Sequence, residues 1–178
     1  GADGSYTYVA DQAAADVLDQ GDQANDVFVY TLFDGTDTTT ANITITVTGL
    51  NDDLTAVNDS NEVNAEQTIT KATSGVGILE NDSDVDGDDS PTVVRVMYSG
   101  TNVYPPAGST YDSNGVSLTG TFGTLTIGAD GSYTYTADQA SALSLSAGQY
   151  GIDTFPYYIQ DGNTPTPGVG NALLSIKV

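Results

Sequence analysis

Apolar and polar residues alternate with a period of two along most of this chain, the pattern of strands that bury one face. In residues 1–50 the alternation predicts three strands, over 5–9, 27–33 and 42–48; Val27-Phe28-Val29-Tyr30 and Ile43-Thr44-Ile45-Thr46-Val47 are its clearest stretches. Further along it predicts seven more, over 62–70, 75–79, 92–98, 123–128, 132–136, 153–160 and 172–178. Ala129-Asp130-Gly131-Ser132 reads as a hairpin turn in which glycine supplies the positive φ. One helical turn is expected over 138–144, and nothing reads as a helical domain. Seven short strands separated by turn signals predict an all-β chain built as an antiparallel sandwich.

The chain repeats itself. Gly1 to Ala13 reads GADGSYTYVADQA and Gly128 to Ala140 reads GADGSYTYTADQA, identical at twelve of thirteen positions with an offset of 127. The same offset carries Asp26 onto Asp153, Phe28 onto Phe155, Tyr30 onto Tyr157 and Asp34-Gly35 onto Asp161-Gly162. Four extra residues then enter the second copy, after which Ala41, Ile45 and Val47 align with Ala172, Ile176 and Val178. Residues 59–178 are therefore expected to form one complete unit, 51–58 a linker, and 1–50 the C-terminal half of a preceding unit. Three strands with one apolar face do not close a sandwich. Either residues 1–50 are completed by another copy, in which case head-to-tail contacts propagate into a filament, or the chain is a processed or truncated piece of a longer array. Gly1-Ala2-Asp3-Gly4 is neither a start methionine nor a signal peptide.

Composition narrows the function. Leu, Ile, Val and Phe make up 39 of 178 residues, barely above the level at which a highly charged chain stays unfolded, but 11 Tyr and 25 Thr suit half-buried pleated surfaces. There is no Cys, His or Trp. Disulfides, Cys or His metal sites and every scheme that uses a His base or Cys nucleophile are excluded. Three Lys and Arg against 24 acids, a net charge of −21, argue against nucleic acid or anionic lipid as partner. No apolar run approaches the ~20 residues of a membrane-spanning helix. Catalysis by paired carboxylates is not expected, since acids are so plentiful that any spacing occurs by chance.

Of the 24 acidic residues 21 are Asp, the short carboxylate of turns and calcium loops. The densest run is Asn81-Asp82-Ser83-Asp84-Val85-Asp86-Gly87-Asp88-Asp89. Asp82-x-Asp84-x-Asp86-Gly87 matches the first half of an EF-hand loop, but the twelfth position is Val93 rather than a bidentate Glu, so an EF-hand is rejected. What remains is five carboxylates in eight residues that need solvation or a cation.

The elements Gly128–Asp138, Phe155 to Gly162, Ala41 to Asp52, Ala56 to Asp59 and Gly77 to Asp88, in this order around the repeat, resemble the VCBS and cadherin-like repeats of large bacterial RTX-type surface adhesins. The resemblance implies an Ig-like or cadherin-like β-sandwich in tandem, secreted, stiffened by Ca2+, and serving cell adhesion or biofilm formation as a non-catalytic stalk. Asn51-Asp52 is followed here by Asp53-Leu54-Thr55, where such repeats usually continue with proline. Under the implied topology Asp82, Asp84, Asp86 and Asp88 form one end loop, Asp161 opens a second, and Asn51, Asp52 and Asp59 enter beside them. These eight residues are the candidate metal ligands, facing the acidic stretch Asp11 to Asp26 of the preceding repeat. The implied partners are neighbouring repeats or identical copies, and surface glycans; a carbohydrate-binding module is a further alternative.

Overall fold

The computed structural model describes every residue except Ala2 and residues 87–89, and the side chain of Ser74. The chain divides into two units, Gly1–Asp52 with Val85–Asp88, and Asp53–Asp84 with Asp89–Val178.

The second unit is a β-sandwich. Its strands are β3 (Asp59–Glu62), β4 (Thr68–Lys71), β5 (Thr92–Tyr98), β6 (Thr101–Val103), β7 (Val116–Thr119), β8 (Thr124–Ile127), β9 (Tyr133–Thr136), β10 (Ile152–Gln160) and β11 (Val169–Lys177), with one helical turn, α2 (Ala140–Leu143), between β9 and β10. One sheet runs β3-β11-β10-β5-β6 and the other β4-β9-β8-β7. All neighbours are antiparallel except β3 and β11, which are parallel. The alternation becomes burial directly: Asp153, Phe155, Tyr157 and Ile159 of β10 point inward while the residues between them do not. They meet Leu125 and Ile127 of β8 and Tyr133 and Tyr135 of β9 across the layer, all fully buried.

Several expectations change. The run 62–70 is not one strand but two. β3 lies in one sheet, β4 in the other, and the chain crosses between them through Glu66 at φ 67°. Alternation is blind to such a transfer, because both halves present the same inward phase. The run 75–79 is a 3-10 turn at Ser74–Val76 rather than a strand. There Gly77 passes so close to the backbone that an added Cβ would sit 2.2 Å from the Gly131 carbonyl oxygen. The edge strands β6 and β7 escaped detection because Thr101–Val103 and Val116–Thr119 are short and mostly polar. Within residues 51–58, Leu54 is buried in the core of the second unit, with Ala56 packed against it.

The first unit holds one helical turn, α1 (Ala13–Asp16), and the hairpin β1 (Gln23–Phe33) with β2 (Thr38–Thr48). Its register repeats that of β10 and β11. Asp26 pairs with Ile45, Phe28 with Ile43 and Tyr30 with Ala41, as Asp153 does with Ile176, Phe155 with Leu174 and Tyr157 with Ala172. Residues 5–9, however, form no strand. Their equivalent, β9, is a strand because β4 and β8 flank it, and no flanking strands exist in the first unit among the described residues.

Duplication makes packing testable within one molecule. Phe155→Ala removes a ring from a closed core and is expected to cost about 3–5 kcal/mol. Phe28→Ala, at the equivalent half-exposed position, is expected to cost less than about 1 kcal/mol. Urea unfolding of the full chain, read as the shift in midpoint of each variant, measures both.

Candidate functional site

The acidic residues that the structure brings together lie around Tyr157. Tyr157 of β10 is fully buried, and its hydroxyl lies among polar groups of residues 57–82. It donates to Asp59 Oδ2 at 2.9 Å, and the carbonyl oxygens of Val57 and Ile78 lie 3.1 and 3.2 Å from it. The Asp82 carboxylate stands just beyond, at 3.4 and 3.5 Å. A phenol has one proton, so a single donor faces two carboxylates and two carbonyls. Asp82 has one further donor, the Val57 N–H at 2.7 Å. Burial pushes the Asp59 carboxyl up to about 6, with the Asp82 charge adding to it and the Tyr157 hydrogen bond opposing it. Asp82 is also raised, again first by burial. Tyr157 is held well above the usual phenol range by burial and by the two carboxylates.

Local sequence explains this convergence. Thr55 and Ser83 form an isolated antiparallel bridge, with both N–H···O bonds made at 2.8 and 3.0 Å. The bridge fastens residues 55–59 along the 81–84 loop, and the short Asp side chains then reach the same point. Other predicted ligands go elsewhere. Asp84 is half-buried in the same loop. Asp161 is buried and braces its own loop, accepting from Asn163 N at 2.8 Å and Gly168 N at 2.6 Å. In the first unit Asp86 is buried, and its Oδ2 accepts from the Asp52 N–H at 2.7 Å; Asn51 is half-buried. Asp88 lies outside the described residues. Among the described residues no three Asp or Glu side chains lie close enough together to hold a metal ion. The donor chemistry around Tyr157, all carboxylate and carbonyl oxygen, is of the kind a hard cation takes, though two carboxylates and two carbonyls are fewer than the six to eight oxygens of a calcium site.

A buried carboxylate that the sequence reading did not single out is Asp153. It accepts five hydrogen bonds, from the hydroxyls of Tyr135 at 2.6 Å and Tyr98 at 2.8 Å and from the N–H groups of Thr121, Phe122 and Gly123 at 2.8, 2.9 and 3.1 Å. Gly120 is required beside it, because a Cβ there would lie 2.2 Å from Oδ2. With every lone pair engaged, this carboxylate ties the two sheets together and has no capacity left for a ligand. Its signal was an Asp in the inward phase of an apolar alternation, Asp153-x-Phe155-x-Tyr157-x-Ile159.

A cleft of about 300 Å³ opens elsewhere, beside Glu62, Tyr150 and Lys177. Lys177 is exposed, pairs with Glu62 at 2.9 Å and lies over the Tyr150 ring. Among the described residues no helix is long and apolar enough to cross a membrane.

A family model described as the bacterial cadherin-like domain matches residues 51–177. No curated protein matches the chain.

The raised Asp59 carboxyl fixes the sign of a pH effect. Its folded value, about 6, lies above its ordinary 3.8, so the fold prefers the protonated form. The contribution is therefore complete below about pH 4 and is lost as pH rises through about 6. Asp82 acts in the same direction. In metal-free buffer the urea midpoint is expected to fall more between about pH 4 and 7 in the native chain than in Asp59→Asn, which carries no titrating group there. Parallel profiles would refute the assignment.

Proposed function

The chain belongs to the bacterial cadherin-like domain family, and we propose that it serves as a non-catalytic, calcium-binding structural repeat of a secreted bacterial surface adhesin or stalk, working in adhesion or biofilm formation. The observation that carries the reading is the imbalance around the Tyr157 hydroxyl. Two carboxylates and two backbone carbonyls from two stretches of chain, 57–59 and 78–82, crowd one phenol proton. Such a site is satisfied either by a proton, at the expense of Asp59 remaining ionised, or by a cation.

Asp59 and Asp82 are the residues that would hold the ion, with backbone carbonyls and water completing its oxygen shell. Bound there, calcium would supply positive charge and rigidity rather than reactivity. It would pin the 81–84 loop to residues 55–59, where each acid otherwise repels the next. The net charge of −21 agrees with display among identical copies, because like-charged repeats resist coalescence. A sandwich of this size closes a core without disulfides, so the lack of Cys is compatible with secretion.

Thermal unfolding of the chain in EDTA and then in millimolar calcium tests this. A ligand that binds only the folded state adds about 2.7 kcal/mol at a hundredfold excess over its dissociation constant. The melting temperature is expected to rise by several degrees, and Asp82→Asn to abolish most of the rise. An unchanged melting temperature across the calcium range would overturn the calcium reading and leave these acids as solvated loop residues.

A further inference from the structure

The first unit presents a face that the same sequence buries elsewhere in the molecule. Phe28 is 49 % exposed where Phe155 is 0 %, and Tyr6 64 % where Tyr133 is 1 %. Two open grooves mark the difference. One of about 550 Å³ is lined by Tyr6, Tyr30, Leu32 and Ile43, and one of about 170 Å³ by Tyr8, Ala15, Leu18 and Val47. The equivalents of the first set, Tyr133, Tyr157, Ile159 and Leu174, are all core residues of the second unit.

The open face is nevertheless already shaped as in the closed unit. Tyr8 and Phe28 stack edge to face with centroids 6.2 Å apart and planes at 68°, and Tyr135 and Phe155 do so with the same two values. The Tyr8 hydroxyl donates to Asp26 Oδ2 at 2.6 Å, as Tyr135 does to Asp153 Oδ2 at 2.6 Å. What Asp26 lacks is everything that reaches Asp153 from the first half of its repeat: the Tyr98 hydroxyl and the N–H groups of Thr121, Phe122 and Gly123. Among the described residues Tyr8 is the one donor to the Asp26 carboxylate. Residues 5–9 likewise keep the sequence of β9 but lack the strands that would make them one.

We propose that the open face of residues 1–50 is a docking surface for a polypeptide with the pattern of residues 59–127, the first half of a repeat. The occupant must place a strand on each side of residues 5–9, cover Phe28 and Tyr30, and cap Asp26 with a Thr-Phe-Gly turn and a Tyr hydroxyl. A second copy of this chain is a poor occupant. Residues 1–178 contain two second halves, 1–50 and 128–178, and one first half. Lending that first half opens as much apolar surface in the donor as it closes in the acceptor. The inference uses the sandwich-repeat reading above but not its calcium, so the two fail separately.

The test adds a synthetic polypeptide of residues 53–127 to the full chain, in EDTA and in calcium, and reads hydrogen exchange by peptide. A 1:1 complex is expected, with new protection over residues 5–9 and 27–33. Asp26→Asn, which replaces a charged acceptor by a mixed amide, is expected to weaken it roughly tenfold or more. Tyr30→Thr, on the open face, should weaken it as well without touching the Tyr8–Asp26 bond. Asp37→Asn, in the exposed hairpin loop, should leave it unchanged. No protection over 5–9, or protection that both face variants leave intact, would overturn the proposal. So would protection arising from concentration of the chain alone, which would make a second copy the occupant.

Discussion

A β-sheet with one apolar face needs a second layer, and both halves of this molecule follow from whether that layer is present. In the second unit β4, β9, β8 and β7 cover β10, β11 and β5, and the inward residues of each strand lose their contact with water. Each buried Phe, Leu or Ile there is worth about 1.5–3 kcal/mol. In the first unit the hairpin keeps its register, its ring pair and its Tyr–Asp bond without the layer. Local pairing is thus sufficient to shape β1 and β2, whereas residues 5–9 need neighbours on both sides. A strand is held by its partners before it is held by its own propensity.

This explains which parts of the fold were legible beforehand. Strands β5, β8, β9, β10 and β11 carry long or clear alternations and were found. The helical turn expected over 138–144 lies at Ala140–Leu143, and the match over residues 51–177 agrees with the cadherin-like resemblance. What alternation cannot see is where the chain changes sheets, as it does at Glu66, since the inward phase is kept on both sides. It also cannot see a strand held by an edge position alone, as with β6 and β7. For residues 5–9 the failure is of another kind. Their sequence is nearly identical to that around β9, so no local rule separates them; only the absent flanking strands do.

The candidate site was legible in chemistry and not in geometry. The density of Asp in the 82–88 loop and the entry segment pointed to an oxygen-rich end, and Asp59 and Asp82 do meet there at Tyr157. That Asp161 accepts hydrogen bonds within its own loop, from Asn163 and Gly168, is something spacing does not encode. Neither does the sequence say that a tyrosine from the middle of β10 would be the group around which the acids collect.

Counting donors separates the two kinds of buried acid. Asp153 accepts five hydrogen bonds, from two tyrosines and a backbone turn, so the fold itself supplies the donors its buried oxygens need. Among the described residues Asp59 and Asp82 share one phenol and one amide between them, so burial outweighs the hydrogen bonds they accept and raises both. The first arrangement is complete as it stands and belongs to structure. The second is short of positive charge by construction, and that shortage, rather than the number of aspartates, is what a cation or a proton would answer. Asp26 stands between the two cases: it has the position of Asp153 and one of its five donors, and only the missing half of a sandwich supplies the rest.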